Sequence, residues 1–163
     1  MNELAFLKKL KKKKIIRLVE SSKEMKTSYL TKSENCLKSA KILFKNDLYE
    51  NSVSEAYYCM YNSLLALLFE VGIKSENHSA SIILFDKLFK NKEMAKIIFW
   101  AKEERIDKQY YVETHQIIKI TKKSCEEIIL KTENFLIQMK VLINNLNNQQ
   151  IETVRKSFIE LLK

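Results

Sequence analysis

Proline is absent from this 163-residue chain and glycine occurs once, at Gly72. Hairpin turns and bulges draw heavily on these two residues, so an extensive β-fold is excluded, and the dominance of Leu, Ile, Lys and Glu predicts an all-α chain. One glycine also excludes the glycine-rich phosphate loop and the nucleophile elbow. Cysteine is scarce too. Cys36, Cys59 and Cys125 lie far apart in apolar stretches, an odd number without zinc spacing, and read as core thiols in a reducing compartment. The two histidines, His78 and His115, lack the glutamate three residues earlier that di-iron bundles use. No metal and no cofactor is expected. The basic N-terminus lacks the apolar run and small-residue cleavage site of a secretory signal, so the expected location is cytoplasmic.

What the chain does have is one intensely apolar stretch, Asn51 to Val71, NSVSEAYYCMYNSLLALLFEV. Val53, Ala56/Tyr57, Met60/Tyr61, Leu64/Leu65, Leu67/Leu68 and Val71 recur every three or four residues, which is helical spacing. Tyr58, Cys59, Ala66 and Phe69 fill most of the remaining face, so neighbouring helices are expected to cover it on nearly every side. Glu55, Asn62 and Ser63 interrupt the run and argue against a membrane span, which needs about twenty nearly unbroken apolar residues. A chain of this length forms one domain and can bury about two thirds of its unfolded surface.

Further helices are predicted around this centre. Asn2 to Val19 carries Leu4, Leu7, Leu10, Ile15 and Leu18 on one side, although Lys11 to Lys14 interrupt the stripe. Glu24 to Lys45 is cleanly amphipathic, and the short connector Asn46 to Glu50 makes it an antiparallel neighbour of the central helix. Gly72 suits the C-terminal cap of that helix, where a left-handed residue is wanted. After the loop GIKSENHS come Ser79 to Phe89, ended by Asn91, and Glu93 to Ile106. His115 to Leu146 reads as one rod of roughly 45 Å at about 1.5 Å per residue. After NNLNNQQ, the positions Ile151, Val154, Phe158 and Leu161/Leu162 form an amphipathic tail that must dock on the bundle or on another subunit. The expected organisation is a basic N-terminal helix or arm (1–32), a helical bundle (33–147) and a C-terminal amphipathic helix (148–163).

The net charge of +9 is uneven, because residues 1–32 hold ten Lys/Arg against three Glu while the rest of the chain is nearly neutral. Nucleic-acid binding through charge therefore rests on Lys11, Lys12, Lys13, Lys14 and Arg17, which would meet RNA phosphates or an acidic partner. The alternative for these lysines is a solvated helix face. The densest collection of reactive side chains is Glu103, Glu104, Arg105, Asp107, Gln109, Tyr110, Tyr111 and His115.

AYYCMYNSLLALLFEVG, then a loop ending in His78, then Arg105-x-x-x-x-Tyr110, resembles the HEPN superfamily of small α-helical proteins. In its prokaryotic branch the central helix reads approximately A-Y-Y-A-M-F-x-A-x-x-A-L-L followed by glycine. Ala56, Tyr57, Tyr58, Met60, Tyr61, Leu64, Ala66, Leu67, Leu68 and Gly72 match it in kind and order, and the resemblance spans roughly residues 30 to 147. It implies an antiparallel bundle of four or five helices, a homodimer, and a minimal nucleotidyltransferase as partner in a toxin-antitoxin pair. Active members are metal-independent ribonucleases with Arg, four to six residues, then His. Here Arg105 is present, no histidine stands at plus five to seven, His115 stands at plus ten, and Tyr110 takes the first of those places. A phenol of pKa near 10 donates to phosphate but is a poor base at pH 7.

The resemblance thus implies a degenerate site, with Arg105 and Tyr110 in the catalytic places and Arg105, Asp107, Tyr111, His78 and His115 around an RNA or nucleotide phosphate. Each candidate also has a purely structural reading. Arg105 could pair with Asp107, Glu104 or Glu55; Tyr57, Tyr58 and Tyr61 could be core aromatics whose hydroxyls reach polar partners; His78 could bridge a helix start beside Asn77, and His115 could open the last long helix. The rival function is a non-catalytic helical interaction protein with a basic N-terminus.

Overall fold

A computed structural model describes residues 2–105 and 120–163, and the backbone of 106–109. Its helices are α1 (Glu3–Lys12), α2 (Lys23–Lys45), α3 (Tyr49–Glu70), α4 (His78–Phe89), α5 (Lys92–Gln109), α6 (Lys122–Asn145) and α7 (Asn148–Leu161), with two short strands, β1 (Ile16–Leu18) and β2 (Ile73–Ser75). The chain is all-α with one small antiparallel ribbon, in which Arg17 stands opposite Lys74.

Helix α3 is the centre: Leu64, Ala66, Leu67 and Leu68 are fully buried, and α2, α5, α6 and α4 all pack against it. Each fully buried leucine contributes about 1.5–3 kcal/mol relative to exposure. The α2–α3 pair is antiparallel, since Lys26 meets Glu70 (2.8 Å), Ser33 meets the Cys59 carbonyl (2.7 Å) and Ser52 meets the Ala40 carbonyl (2.8 Å). A second cluster of Ala40, Val53, Ala56, Cys125, Ile128 and Ile129 closes the other end of the bundle. Burial of the Cys59 thiol pushes its pKa up to about 12, so it is an inert packing group.

The N-terminal segment differs from a single helix over Asn2 to Val19. Helix α1 stops at Lys12, Lys14 turns left-handed (φ 58°), and the chain continues as β1. The lysine run that breaks the apolar stripe is thus where the helix ends. Leu7, Leu10 and Ile16 are buried in the main core, so this segment packs on the bundle. Gly72 takes a left-handed conformation (φ 68°) just past α3. A Cβ there would collide with the Arg155 guanidinium and lie 2.6 Å from the Val19 carbonyl oxygen. That guanidinium donates through Nη1 to the carbonyls of Val19 (3.1 Å), Val71 (3.1 Å) and Gly72 (3.2 Å), tying α7 to the negative end of the α3 dipole and to the strand ribbon.

Two other boundaries shift for local reasons. Asn91 opens α5, its side chain accepting from the Met94 N–H (3.2 Å), while Lys90 ends α4 in the left-handed region. Helix α6 begins at Lys122 because Thr121 and Ser124 form a capping box, so it is 24 residues long and about 36 Å, shorter than a rod from His115. His115 itself lies outside the described residues. The amphipathic tail docks on its own bundle: Val154, Phe158 and Leu162 are buried in the main core.

Candidate functional site

Three tyrosines on α3 make the floor. Tyr57 and Tyr61, one turn apart, stack with ring centroids 6.1 Å apart, and Tyr58 leans beside Tyr57 at 5.6 Å. A buried tyrosine hydroxyl requires a partner, and each of the three finds one on another element. Strand β2 delivers Asn77, whose side chain caps α4 by accepting from the Ala80 N–H at 2.9 Å, and this fixes His78 as the first residue of the helix. The His78 ring lies flat on Tyr61 (3.8 Å between centroids, 10° between planes), and its Nδ1 meets the Tyr57 hydroxyl at 2.5 Å. One turn on, Ser81 is 3.4 Å from the Tyr61 hydroxyl and donates to Ser75 at 2.8 Å.

Arg105 arrives from α5. Its Nη1 donates to the Tyr58 hydroxyl at 3.0 Å, and its guanidinium carbon sits 5.2 Å from the centroids of both the Tyr57 and the Tyr58 rings. Cation–π contact with two ring faces is worth about 0.5–2 kcal/mol each. The buried Nε–H has no hydrogen-bond partner among the described residues. Burial, and then the charges of Arg105 and Lys102, hold the His78 imidazole below its ordinary pKa, so the ring is neutral at pH 7. Burial raises the Tyr57 and Tyr61 phenols, which stay protonated. The result is a cationic fork, a neutral imidazole and phenolic hydroxyls converging from α3, α4 and α5. Donors of this kind suit an anion with several oxygens.

The structure therefore unites His78 with Arg105, which lie 27 positions apart in the sequence. Arg105 meets Tyr57 and Tyr58, whose hydroxyls reach polar partners. Asp107 lies on α5, with its side chain outside the described residues, as are Tyr110, Tyr111 and His115. Lys11 to Lys14 are exposed where α1 ends, away from the tyrosine floor in sequence and element. Lys11 donates to the Leu162 carbonyl (3.1 Å), and Arg17 donates to the Lys14 carbonyl (2.5 Å) and pairs with Glu76 (3.7 Å). Tyr57, Tyr58 and Tyr61 as site components escape a reading by periodicity, because their ring positions fit a core stripe equally well. The available signal is three phenols within five residues of the central apolar helix, each needing a polar partner.

The HEPN domain family model matches residues 26–142, a span that holds α3, His78 and Arg105 together. The chain belongs to the HEPN domain family. It is 30% identical over 108 residues to "Putative toxin MJ0605" of Methanocaldococcus jannaschii, covering 66% of this chain and 81% of that protein. A "UPF0332 protein" of Thermotoga maritima is 28% identical over 120 residues, 71% of this chain and 88% of that one. "Putative toxin MJ0142" of M. jannaschii is 28% identical over 112 residues, 68% and 76% respectively. Among the described residues of this HEPN protein, no helix is long and apolar enough to cross a membrane, and no group of His, Cys, Asp and Glu is arranged to hold a metal ion.

Proposed function

We propose that this HEPN protein is the toxin-like component of a two-component system and binds phosphate groups of RNA or nucleotides at Arg105, with little or no ribonuclease turnover. The observation that carries the reading is Arg105 itself: a guanidinium fixed between two tyrosine faces, with one buried N–H lacking a partner among the described residues. Placing a charge in that setting is costly unless it has a ligand or a structural partner, and one hydrogen bond to the Tyr58 hydroxyl with two cation–π contacts leaves donors of the fork for a ligand. Two relatives carrying the word toxin in their names support the toxin-like role. Tyr110 in the place of the motif histidine supports weak turnover, because a phenol at neutral pH transfers protons poorly.

In the same proposal a minimal nucleotidyltransferase is the cognate partner, Asp107, Tyr111 and His115 border the ligand, and Lys12 to Lys14 add phosphate contacts at the N-terminal end. The protein acts as a homodimer. Leu130, Ile137 and Val141 form one exposed apolar stripe on α6. Ile137 also lines a groove of about 440 Å³ against α2, where Lys41 pairs with Glu133 and Lys140 with Glu34, and the apolar stripe beside it is the surface that a second copy would cover.

The test incubates labelled RNA with wild type and Arg105→Ala in EDTA and measures binding and cleavage together. Binding by wild type with loss in the variant, at unchanged helicity, is the expected result. Equal binding by both proteins refutes a phosphate role for Arg105, and robust cleavage by wild type alone refutes the degenerate site. Sedimentation giving a monomer at micromolar protein removes the dimer, and failure to co-purify with a co-expressed neighbouring nucleotidyltransferase removes that partner.

A further inference from the structure

Tyr57 is fully buried, and its hydroxyl has one hydrogen-bond partner among the described residues, Nδ1 of His78 at 2.5 Å. A phenol in that position satisfies itself best by donating, since a buried O–H without an acceptor costs about as much as a lost hydrogen bond. If Tyr57 donates, Nδ1 is the acceptor, and the one proton of the neutral ring resides on Nε2. The ring cannot swing away, because it is stacked on Tyr61 at 3.8 Å and anchored at the capped start of α4. Among the described residues, the charges acting on it are those of Arg105 and Lys102, both positive. Glu76, two residues before His78, pairs with Lys74 (2.6 Å), and Glu103 on α5 pairs with Lys102 (3.6 Å).

We propose that Tyr57 is a positioning residue that locks His78 in the Nε2–H tautomer, so that His78 serves as a neutral hydrogen-bond donor to the phosphate bound by Arg105. This rests on the phosphate-binding reading of Arg105 and assigns His78 a role distinct from proton abstraction. A neutral donor suits this place: an imidazolium beside a guanidinium would be repelled, whereas Nε2–H adds a directional bond without adding charge. The ligand class is a phosphate group carried by a nucleotide, either a terminal monoester or an internal diester.

Long-range proton–nitrogen spectra of histidine-labelled protein at pH 7 should show pyrrole-type Nε2 and pyridine-type Nδ1 for His78, assigned by its loss in His78→Asn. Tyr57→Phe should release the lock and give mixed tautomers. An imidazolium, or an Nδ1–H tautomer in wild type, overturns the proposal. Binding supplies the second readout, with 5′-AMP, adenosine and a diribonucleotide that carries its internal diester but no terminal phosphate as probes. The amide of Asn places its oxygen where Nδ1 stood, keeping an acceptor for Tyr57 but removing the distal donor, whereas Gln reaches the Nε2 position with an N–H. His78→Asn should therefore weaken 5′-AMP binding roughly tenfold, and His78→Gln should restore most of it. AMP bound over both adenosine and the diribonucleotide marks a terminal phosphate; the diribonucleotide bound as well as AMP marks a diester. If Asn binds as well as wild type while Arg105→Ala and Arg105→Lys lose binding, the His78 role fails and the Arg105 reading stands. If both Arg105 variants bind like wild type, or wild type binds no probe, the Arg105 reading fails and this proposal fails with it.

Discussion

The two halves of α3 share one apolar periodicity and do different things with it. From Leu64 to Phe69 the helix is dry: the four residues Leu64, Ala66, Leu67 and Leu68 are wholly buried among hydrocarbon side chains, and what matters is volume. From Tyr57 to Tyr61 it is buried except at the half-buried Tyr58, and three phenols carry polar tips that reach His78, Arg105 and Ser81 on other helices. A hydrocarbon half specifies that the helix is central. The phenolic half specifies which partners meet there, because an unsatisfied buried hydroxyl is penalised and a misplaced methyl is often tolerated.

The largest effect tests the dry half. Leu64→Asp or Leu67→Asp should prevent folding, since a buried carboxylate costs several kcal/mol whether it ionises or takes up a proton; circular dichroism showing native helicity and a cooperative melt would contradict the central role of this segment. Leu67→Ala at the same place should leave the protein folded but about 2–5 kcal/mol less stable in urea titration, the cost of a cavity in a packed core. At the end of that half, Gly72→Ala should lose about 1–3 kcal/mol, from a left-handed backbone together with displacement of the Arg155 guanidinium. Arg155→Met should destabilise wild type yet lessen the harm of the added methyl, and additive losses in the double variant would show that the two do not meet.

In the phenolic half the expected changes are smaller in stability and larger in site chemistry. Tyr57→Phe should cost about 1 kcal/mol, the net worth of one buried hydrogen bond, with melting still cooperative. The smallest effect is on pH dependence. His78 titrates lower in the folded protein than its ordinary value of 6.5, so the unfolded chain binds the proton more readily and stability rises with pH. The stabilising share is fully present above pH 6.5 and is lost as pH falls from there through the depressed folded value. His78→Asn should flatten that part of the stability curve, and an unchanged curve would show that the ring is not held neutral.

Much of the helical scaffold is legible in the sequence, because α2, α3 and α4 each carry an apolar repeat at helical spacing with polar breaks at their ends. The strand ribbon is not. Ile16–Leu18 and Ile73–Ser75 are three residues each, too short for alternation to register, and they pair across more than fifty residues of chain. The start of α6 was equally hidden, since Ile117/Ile118 and Ile120 continue the helical spacing past the point where Thr121 caps the helix. At the site, Arg105 and His78 stand out as residue types, but their joint use of the tyrosine floor depends on how α4 and α5 lie against α3.

Sequence alone determined that this chain is an all-α HEPN bundle wound around one helix, because periodicity, a single well-placed glycine and the tyrosine pair are local properties of the order of residues. Tertiary structure alone decided that Tyr57 faces His78, that Arg105 lies over two phenol rings, and that Arg155 closes the end of α3. Those are contacts between distant segments, fixed by the packing of whole helices and by the need of each buried polar atom to find a partner.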